Sequence, residues 1–205
     1  MVEQFSCGSF FTNCYVISND KKECIVIDPG LSFSRTYNYI IGKYNVLAIF
    51  LTHGHADHID GIGYFKNVPI YISELDKPFL YDTKLSLYDV FGLRRSYNIS
   101  DIDVHTLKNN AVINISDFSV KCISTPGHTK GSMVYEINNE LFSGDTLFNM
   151  SIGRTDFPTG DINDMNSSLK KLINLYSNDI KLYPGHGDET TLSFEKRYNS
   201  FLSNL

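Results

Sequence analysis

Between residues 51 and 58 the chain reads LTHGHADH, and this octet constrains the fold more than any other stretch. It places His53, His55, Asp57 and His58 directly beyond VLAIFLT (46–52), a continuous apolar run of the kind a fully buried strand has. The same local order, an apolar strand, a glycine-containing turn and then a metal-capable side chain, recurs three times. STPGH puts His128 beyond a run at 118–124, FSGD puts Asp145 beyond ELFS (140–143), and LYPGH puts His186 beyond a run at 179–184. Rigid strands that deliver side chains from their ends onto turns are a common way to build a site. Four such deliveries are expected to converge on one rim of the molecule.

The donor types match a borderline cation. Imidazole and carboxylate suit zinc, with iron or manganese as competitors, and the absence of cysteine from these segments removes the softest option. Seven donors exceed what one tetrahedral ion takes and suit two ions that share a carboxylate. His53, His55 and His128 are expected on one ion, and Asp57, His58 and His186 on the other. Asp145 bridges them, because a carboxylate offers two oxygens. Two cations roughly 3.5–4 Å apart can hold one hydroxide at neutral pH, since a metal lowers the pKa of water from ~15.7 to ~7. That bridging hydroxide is the expected nucleophile, with Asp57 and Asp145 as the carboxylates nearest the chemistry. Each residue alone has a plainer role: Asp57 is a good helix N-cap, and a lone histidine is more often a core residue. Five of the six histidines in matching contexts outweigh those readings; His105 alone stands elsewhere.

Around these segments the chain reads as alternating strands and helices. NCYVIS (13–18) and ECIVID (23–28) form a hairpin signal, closed by Asp28-Pro29-Gly30. Helices are expected at 33–42 and 58–66, with a strand at 68–72 between the second helix and an unphased aromatic stretch at 73–100. The runs 111–115, 118–124, 132–137 and 140–143 suggest a second sheet. Spacing at Met165, Leu169, Leu172 and Tyr176 predicts a helix over 164–176, capped by Asp161 or Asn163. A last strand at 179–184 and a helix from Thr190 finish the chain. No linker or solenoid repeat interrupts it, so the expectation is one α/β domain over 1–205, two sheets with helices outside.

Composition sets the outer bounds. The 205 residues are 42% hydrophobic, enough for a full core without disulfides, and the formal charge of −5 argues against a nucleic-acid groove. Cys7, Cys14, Cys24 and Cys122 show no C-x-x-C spacing and read as reduced, buried residues. No apolar run reaches the roughly 18 residues that cross a bilayer. MVEQFSCGSFFTN lacks the order of a signal peptide, so a cytoplasmic location is expected, with no membrane partner. Oligomeric state leaves no mark in the sequence.

THGHADH followed by TPGH, SGD and PGHGDET resembles the metallo-β-lactamase superfamily over nearly the whole chain. The resemblance implies an αββα sandwich, a dinuclear site between the sheets, and the ligand roles assigned above. NMSIGRTDFPTGD (149–161) is similar to the glyoxalase II-like hydrolases and also to the persulfide dioxygenases. Asp28, in IDPG, resembles the superfamily aspartate that buttresses the ligand loop. Full-length glyoxalase II enzymes carry a helical C-terminal region for glutathione, and the stretch after His186 is too short for it. The chain therefore resembles the short, single-domain members.

The implied reaction is hydrolysis of a thioester such as S-lactoylglutathione. A thiolate leaves with a pKa near ~8.5 and needs no general acid, whereas an amide nitrogen would need a proton. Arg154 and Lys130 lie close to ligands and offer two roles each: attraction of a substrate carboxylate, or, for Arg154, a brace through Asp156 or Asp145 and, for Lys130, plain solvation. An iron-dependent persulfide dioxygenase, using His53, His128 or His55, and Asp145 on one Fe(II), is the alternative. A nuclease is a third class, which the short acidic chain disfavours.

Overall fold

The hairpin expected at residues 13–28 forms, and a further strand precedes it. In the computed structural model, which describes residues 1–176, 179–203 and 205, the chain packs as two compact units, Met1–Leu107 and Lys108–Leu205.

In the first unit β1 (Val2–Cys7) pairs antiparallel with β2 (Thr12–Ser18), and β2 with β3 (Glu23–Ile27). Helix α1 (Ser34–Lys43) leads to β4 (Asn45–Phe50), which lies parallel to β3. After α2 (Ala56–Ile59) come β5 (Ile70–Ser73) and β6 (Val104–Leu107), both added in parallel, so a six-stranded mixed sheet runs in order β1 to β6. Every residue of β2 is buried. Val16, Val26, Ile49 and Ile72 from successive strands meet Phe33, Ile40 and Ile59 in one core. Burial of each such side chain stabilises the fold by about 1.5–3 kcal/mol.

The helix expected over 58–66 is shorter: α2 gives way to a 3₁₀ turn at Asp60–Tyr64. The reason is tertiary. The Gly61 N–H donates to the Pro29 carbonyl at 2.8 Å instead of to the preceding helical turn, and a Cβ at Gly61 would lie 2.8 Å from that same oxygen. The unphased stretch at 73–100 holds 3₁₀ turns at Lys77–Leu80 and, at its end, Ile99–Asp101. Asp60 fastens it, accepting from Tyr88 Oη at 2.7 Å and the Ser96 amide at 3.1 Å. Its aromatic residues Phe79, Tyr88 and Tyr97 are buried.

The second unit carries the second sheet. Strands β7 (Val112–Ile115), β8 (Phe118–Ser124), β9 (Met133–Ile137) and β10 (Glu140–Gly144) form an antiparallel meander. A two-residue-per-strand hairpin follows, β11 (Leu147–Phe148) and β12 (Ser151–Ile152). Helix α3 (Ile162–Leu175) returns the chain to β13 (Lys181–Pro184), parallel to β10; β14 (Thr190–Thr191) and α4 (Leu192–Tyr198) complete the unit. The order is β14-β13-β10-β9-β8-β7. Asp161, not Asn163, caps α3, accepting from the amides of Asn163 (2.7 Å) and Asp164 (3.0 Å). Met165, Leu169 and Leu172 recur at helical spacing and share a core with Ile123, Val134, Leu141 and Leu182. All four cysteines are free and buried, and among the described residues no helix is long and apolar enough to cross a membrane.

Candidate metal centre

In the first unit the donors leave the end of β4. His53, His55 and His58 are buried, and Asp57 is half-buried at the start of α2. The His53 ring centroid lies 4.7 Å from that of His55 and 4.2 Å from that of His58. Ligand atoms of His53 and His55, of His53 and His58, and of Asp57 and His58 come within 4.8 Å of one another. Gly54 makes this turn possible, since a Cβ there would sit 2.3 Å from Phe79 Cβ. The Gly54 amide donates to Asp76 Oδ2 at 2.9 Å, and Asp76 is fully buried. At Gly30, a Cβ would fall 2.3 Å from the Asp57 carbonyl oxygen, so the turn after β3 packs directly on the ligand helix.

Hydrogen bonds fix which imidazole nitrogens face the centre. Asp28 follows β3 in left-handed backbone (φ 50°), and its Oδ1 accepts from the Thr52 amide at 2.8 Å. Its Oδ2 accepts from Thr52 Oγ1 at 2.6 Å and lies 2.9 Å from His58 Nδ1. A carboxylate only accepts, so His58 Nδ1 carries the proton and Nε2 keeps a lone pair. Thr52 spends its one hydroxyl proton on Asp28, so at 3.1 Å it accepts from His53 Nδ1, and the His53 Nε2 lone pair is likewise presented. Thr12 Oγ1 donates to Asp57 Oδ2 at 2.7 Å.

In the second unit His128 follows β8, Asp145 follows β10 and His186 follows β13. His128 Nδ1 donates to the Arg154 carbonyl at 2.7 Å, so its Nε2 lone pair faces Asp145 Oδ2 at 3.4 Å. His186 Nε2 lies 3.5 Å from the same oxygen. Gly127 (φ 144°) takes the turn before His128, where a Cβ would meet the Met165 backbone at 2.5 Å. At Gly153 a Cβ would fall 1.9 Å from the Asp145 carbonyl oxygen, so the loop after β12 lies against the ligand's backbone.

These spacings test whether the donors suit a metal. The distances His58 Nε2–Asp57 Oδ2 (3.4 Å), His128 Nε2–Asp145 Oδ2 (3.4 Å) and His186 Nε2–Asp145 Oδ2 (3.5 Å) exceed the ordinary hydrogen-bond range. In the neutral form that metal ligation requires, the first two pairs set an imidazole lone pair against a carboxylate oxygen. Two ligands about 2.0–2.1 Å from a tetrahedral zinc are separated by an edge of about 3.3–3.4 Å. The donor set therefore fits divalent cations, with Asp145 Oδ2 shared by two histidines.

All four donors expected from LTHGHADH come together in the first unit, and His128, Asp145 and His186 come together in the second. His105, on β6, stands apart: it is exposed, near Asp103 and stacked on Tyr71. Arg154 braces through Asp156, not Asp145. Its guanidinium donates twice at 2.6 Å, lies 3.8 Å from the Phe157 ring centroid, and holds the Asp156 carboxyl down at about 2. Lys130 is exposed, its amide donating to Thr159 Oγ1 at 3.2 Å. Sequence reasoning missed Thr12, Thr52, Asp76 and the Arg154 carbonyl. Only Thr52, which adjoins the histidine run, carried a positional hint.

The sequence from residue 7 to 186 matches the Metallo-beta-lactamase superfamily. A protein of Haemophilus influenzae called hydroxyacylglutathione hydrolase GloC is 33% identical over 98% of this chain and 98% of its own length. Two solved structures are similar throughout. The BLEG-1 B3 metallo-beta-lactamase has a TM-score of 0.92 and 33% identity, over 99% of this chain and all of that one. TTHA1623, crystallised in a di-iron-bound form, has a TM-score of 0.83 and 30% identity over 98% of this chain and all of that one. The αββα fold class expected from the sequence is borne out by these matches.

Proposed function

We propose that this chain, which belongs to the metallo-β-lactamase superfamily, is a dinuclear metallohydrolase that cleaves a small acyl-thiol ester such as S-lactoylglutathione. The observation that carries the metal reading is the trio of nitrogen–oxygen edges at 3.4–3.5 Å, too long for hydrogen bonds and suited to shared coordination. The relative named a hydroxyacylglutathione hydrolase, similar almost end to end, supports a thioester as the bond. We assign His53, His55 and His128 to one ion, Asp57, His58 and His186 to the second, and Asp145 to both. Zinc is the proposed metal, and the di-iron form of TTHA1623 makes iron the first competitor.

When bound, such ions supply Lewis acidity that brings water to hydroxide near neutral pH. The protein supplies orientation. Asp28 and the Arg154 carbonyl keep His58 and His128 in the tautomer that offers Nε2, and Thr12 pins the Asp57 carboxylate. A thiolate leaving group departs unprotonated, with a pKa near ~8.5. The site therefore needs no separate acid, consistent with an Arg154 occupied by Asp156. The proposed partner is a small-molecule thioester in a cytoplasmic setting, not nucleic acid or membrane.

A metal count on purified protein, paired with a thiol-release assay on S-lactoylglutathione, tests this. Two metals per chain with thioester cleavage is the expected result. His53→Ala and Asp145→Ala should each bring turnover below detection, and full activity in either variant overturns the assignment. One iron per chain with oxygen uptake on glutathione persulfide would replace the hydrolase with the dioxygenase.

A further inference from the structure

The small hairpin β11–β12 and the loop after it touch all three donors of the second unit. Phe148 packs edge-on to the His186 ring, with centroids 5.9 Å apart. Gly153 lies against the Asp145 backbone so closely that a Cβ would come within 1.9 Å of its carbonyl oxygen. The Arg154 backbone carbonyl accepts from His128 Nδ1 at 2.7 Å and so sets that ring's tautomer and tilt. Two-residue strands with two pairs of partners have little rigidity of their own, and Met150 at the tip is in left-handed backbone (φ 61°), which a side chain disfavours. Something else must hold this segment.

Beside the core contacts of Leu147 and Ile152, α4 supplies a hold on the tip. Glu195 is wholly buried, and its carboxylate accepts from the Met150 amide (2.9 Å), Thr190 Oγ1 (2.6 Å) and Asn199 Nδ2 (2.8 Å). Asn199, also buried, donates from the same amide nitrogen to the Ser151 carbonyl at 3.1 Å. The two side chains thus grip consecutive residues of the hairpin tip, one by its N–H and one by its C=O. A buried carboxylate is costly to maintain unless its hydrogen bonds are made, and here three donors converge on it.

We propose that Glu195, with Asn199, is a positioning residue for the metal centre: it clamps the hairpin that aims His128, Asp145 and His186 from behind. The inference rests on the dinuclear reading above and adds to it a carboxylate that touches neither metal nor substrate. Glu195→Met keeps the volume but removes both accepting oxygens, so the Met150 amide loses its partner and the hairpin is released without removing a ligand.

Cobalt(II) is the probe, because its visible absorption reports ligand number and geometry. Apo protein, titrated with cobalt against a competing chelator, should bind two equivalents. In Glu195→Met and in Asn199→Ala, both equivalents should weaken about tenfold to a hundredfold, because the hairpin aims ligands of each ion, with a changed absorption envelope. Glu189→Gln removes a charge from the same unit, in an ion pair with Lys181, and should titrate as wild type. Wild-type affinities and spectra in whichever of the two clamp variants folds, or equal weakening in Glu189→Gln, overturn the clamp and leave the hydrolase reading standing. A wild-type protein that takes up no cobalt overturns both, and one that binds cobalt normally but cleaves no thioester overturns only the substrate.

Discussion

Asp28 braces both ends of the LTHGHADH segment through one carboxylate: it caps Thr52 by amide and hydroxyl and holds His58 Nδ1 at 2.9 Å. Asp28→Asn keeps the bulk but puts an amide N–H₂ where an acceptor is required, so metal affinity should fall about tenfold to a hundredfold. A chelator-competition titration measures this, and unchanged affinity would reduce Asp28 to a turn residue. The ligands themselves were legible because chemistry marks them: histidines in repeated glycine-flanked contexts are rare enough to stand out. Their supports were not. Asp76 reaches the Gly54 amide across 22 positions, a separation that leaves no periodicity to read. The reduced state of the cysteines was legible, and burial pushes the thiols of Cys24 and Cys122 up to about 12. Their neutral form is favoured by the fold, so the stability they contribute is complete below about pH 8.5 and declines as pH rises toward about 12. At pH 8 both should resist iodoacetamide until the protein is denatured; rapid alkylation of the native protein, read by mass spectrometry, would contradict this.

At the scale of elements, α3 shows how a helix start is tied to a ligand turn. Asp161 caps the helix by side chain while its own amide donates to the Gly127 carbonyl at 2.9 Å, one residue before His128. Asp161→Ala should cost about 0.5–2 kcal/mol in urea unfolding, the usual loss for an N-cap. A change under a few tenths would show that α3 is held by its apolar face alone. That face, Met165, Leu169 and Leu172, was readable from spacing, as were the apolar runs at 13–18, 23–28, 46–52 and 118–124, which fall on β2, β3, β4 and β8. What escaped were β1 and β6, the edge strands of the first sheet, where one flank lacks a neighbour and the sequence stays polar: VEQFSC and VHTL. Hairpin β11–β12 is too short to show any period. The premature end of the helix at 58–66 came from a tertiary bond, Gly61 to Pro29, which no local propensity encodes.

For the whole molecule, the family and fold were legible from the ligand segments more than from the elements, because the motifs span the chain while strand spacing alone admits several topologies. The same motifs carry a cost for stability. Folding gathers four donors in the first unit and three in the second, and at His58–Asp57 and His128–Asp145 it sets an imidazole nitrogen 3.4 Å from a carboxylate oxygen, an edge that a cation can span and that an unfolded chain does not hold. A ligand that binds only the native state adds about 2.7 kcal/mol at a free concentration of a hundred times its Kd. In a chain of this size each kcal/mol moves Tm by about 2–4 °C, so saturating one such site should raise the melting temperature by about 5–10 °C. Protein stripped by chelation and then dialysed should melt lower by that amount, and adding back zinc should restore it. An unchanged Tm in protein shown by elemental analysis to have lost its metal would mean that the donors are already balanced by something other than a cation, and the coordination geometry drawn from those edges would have to be abandoned.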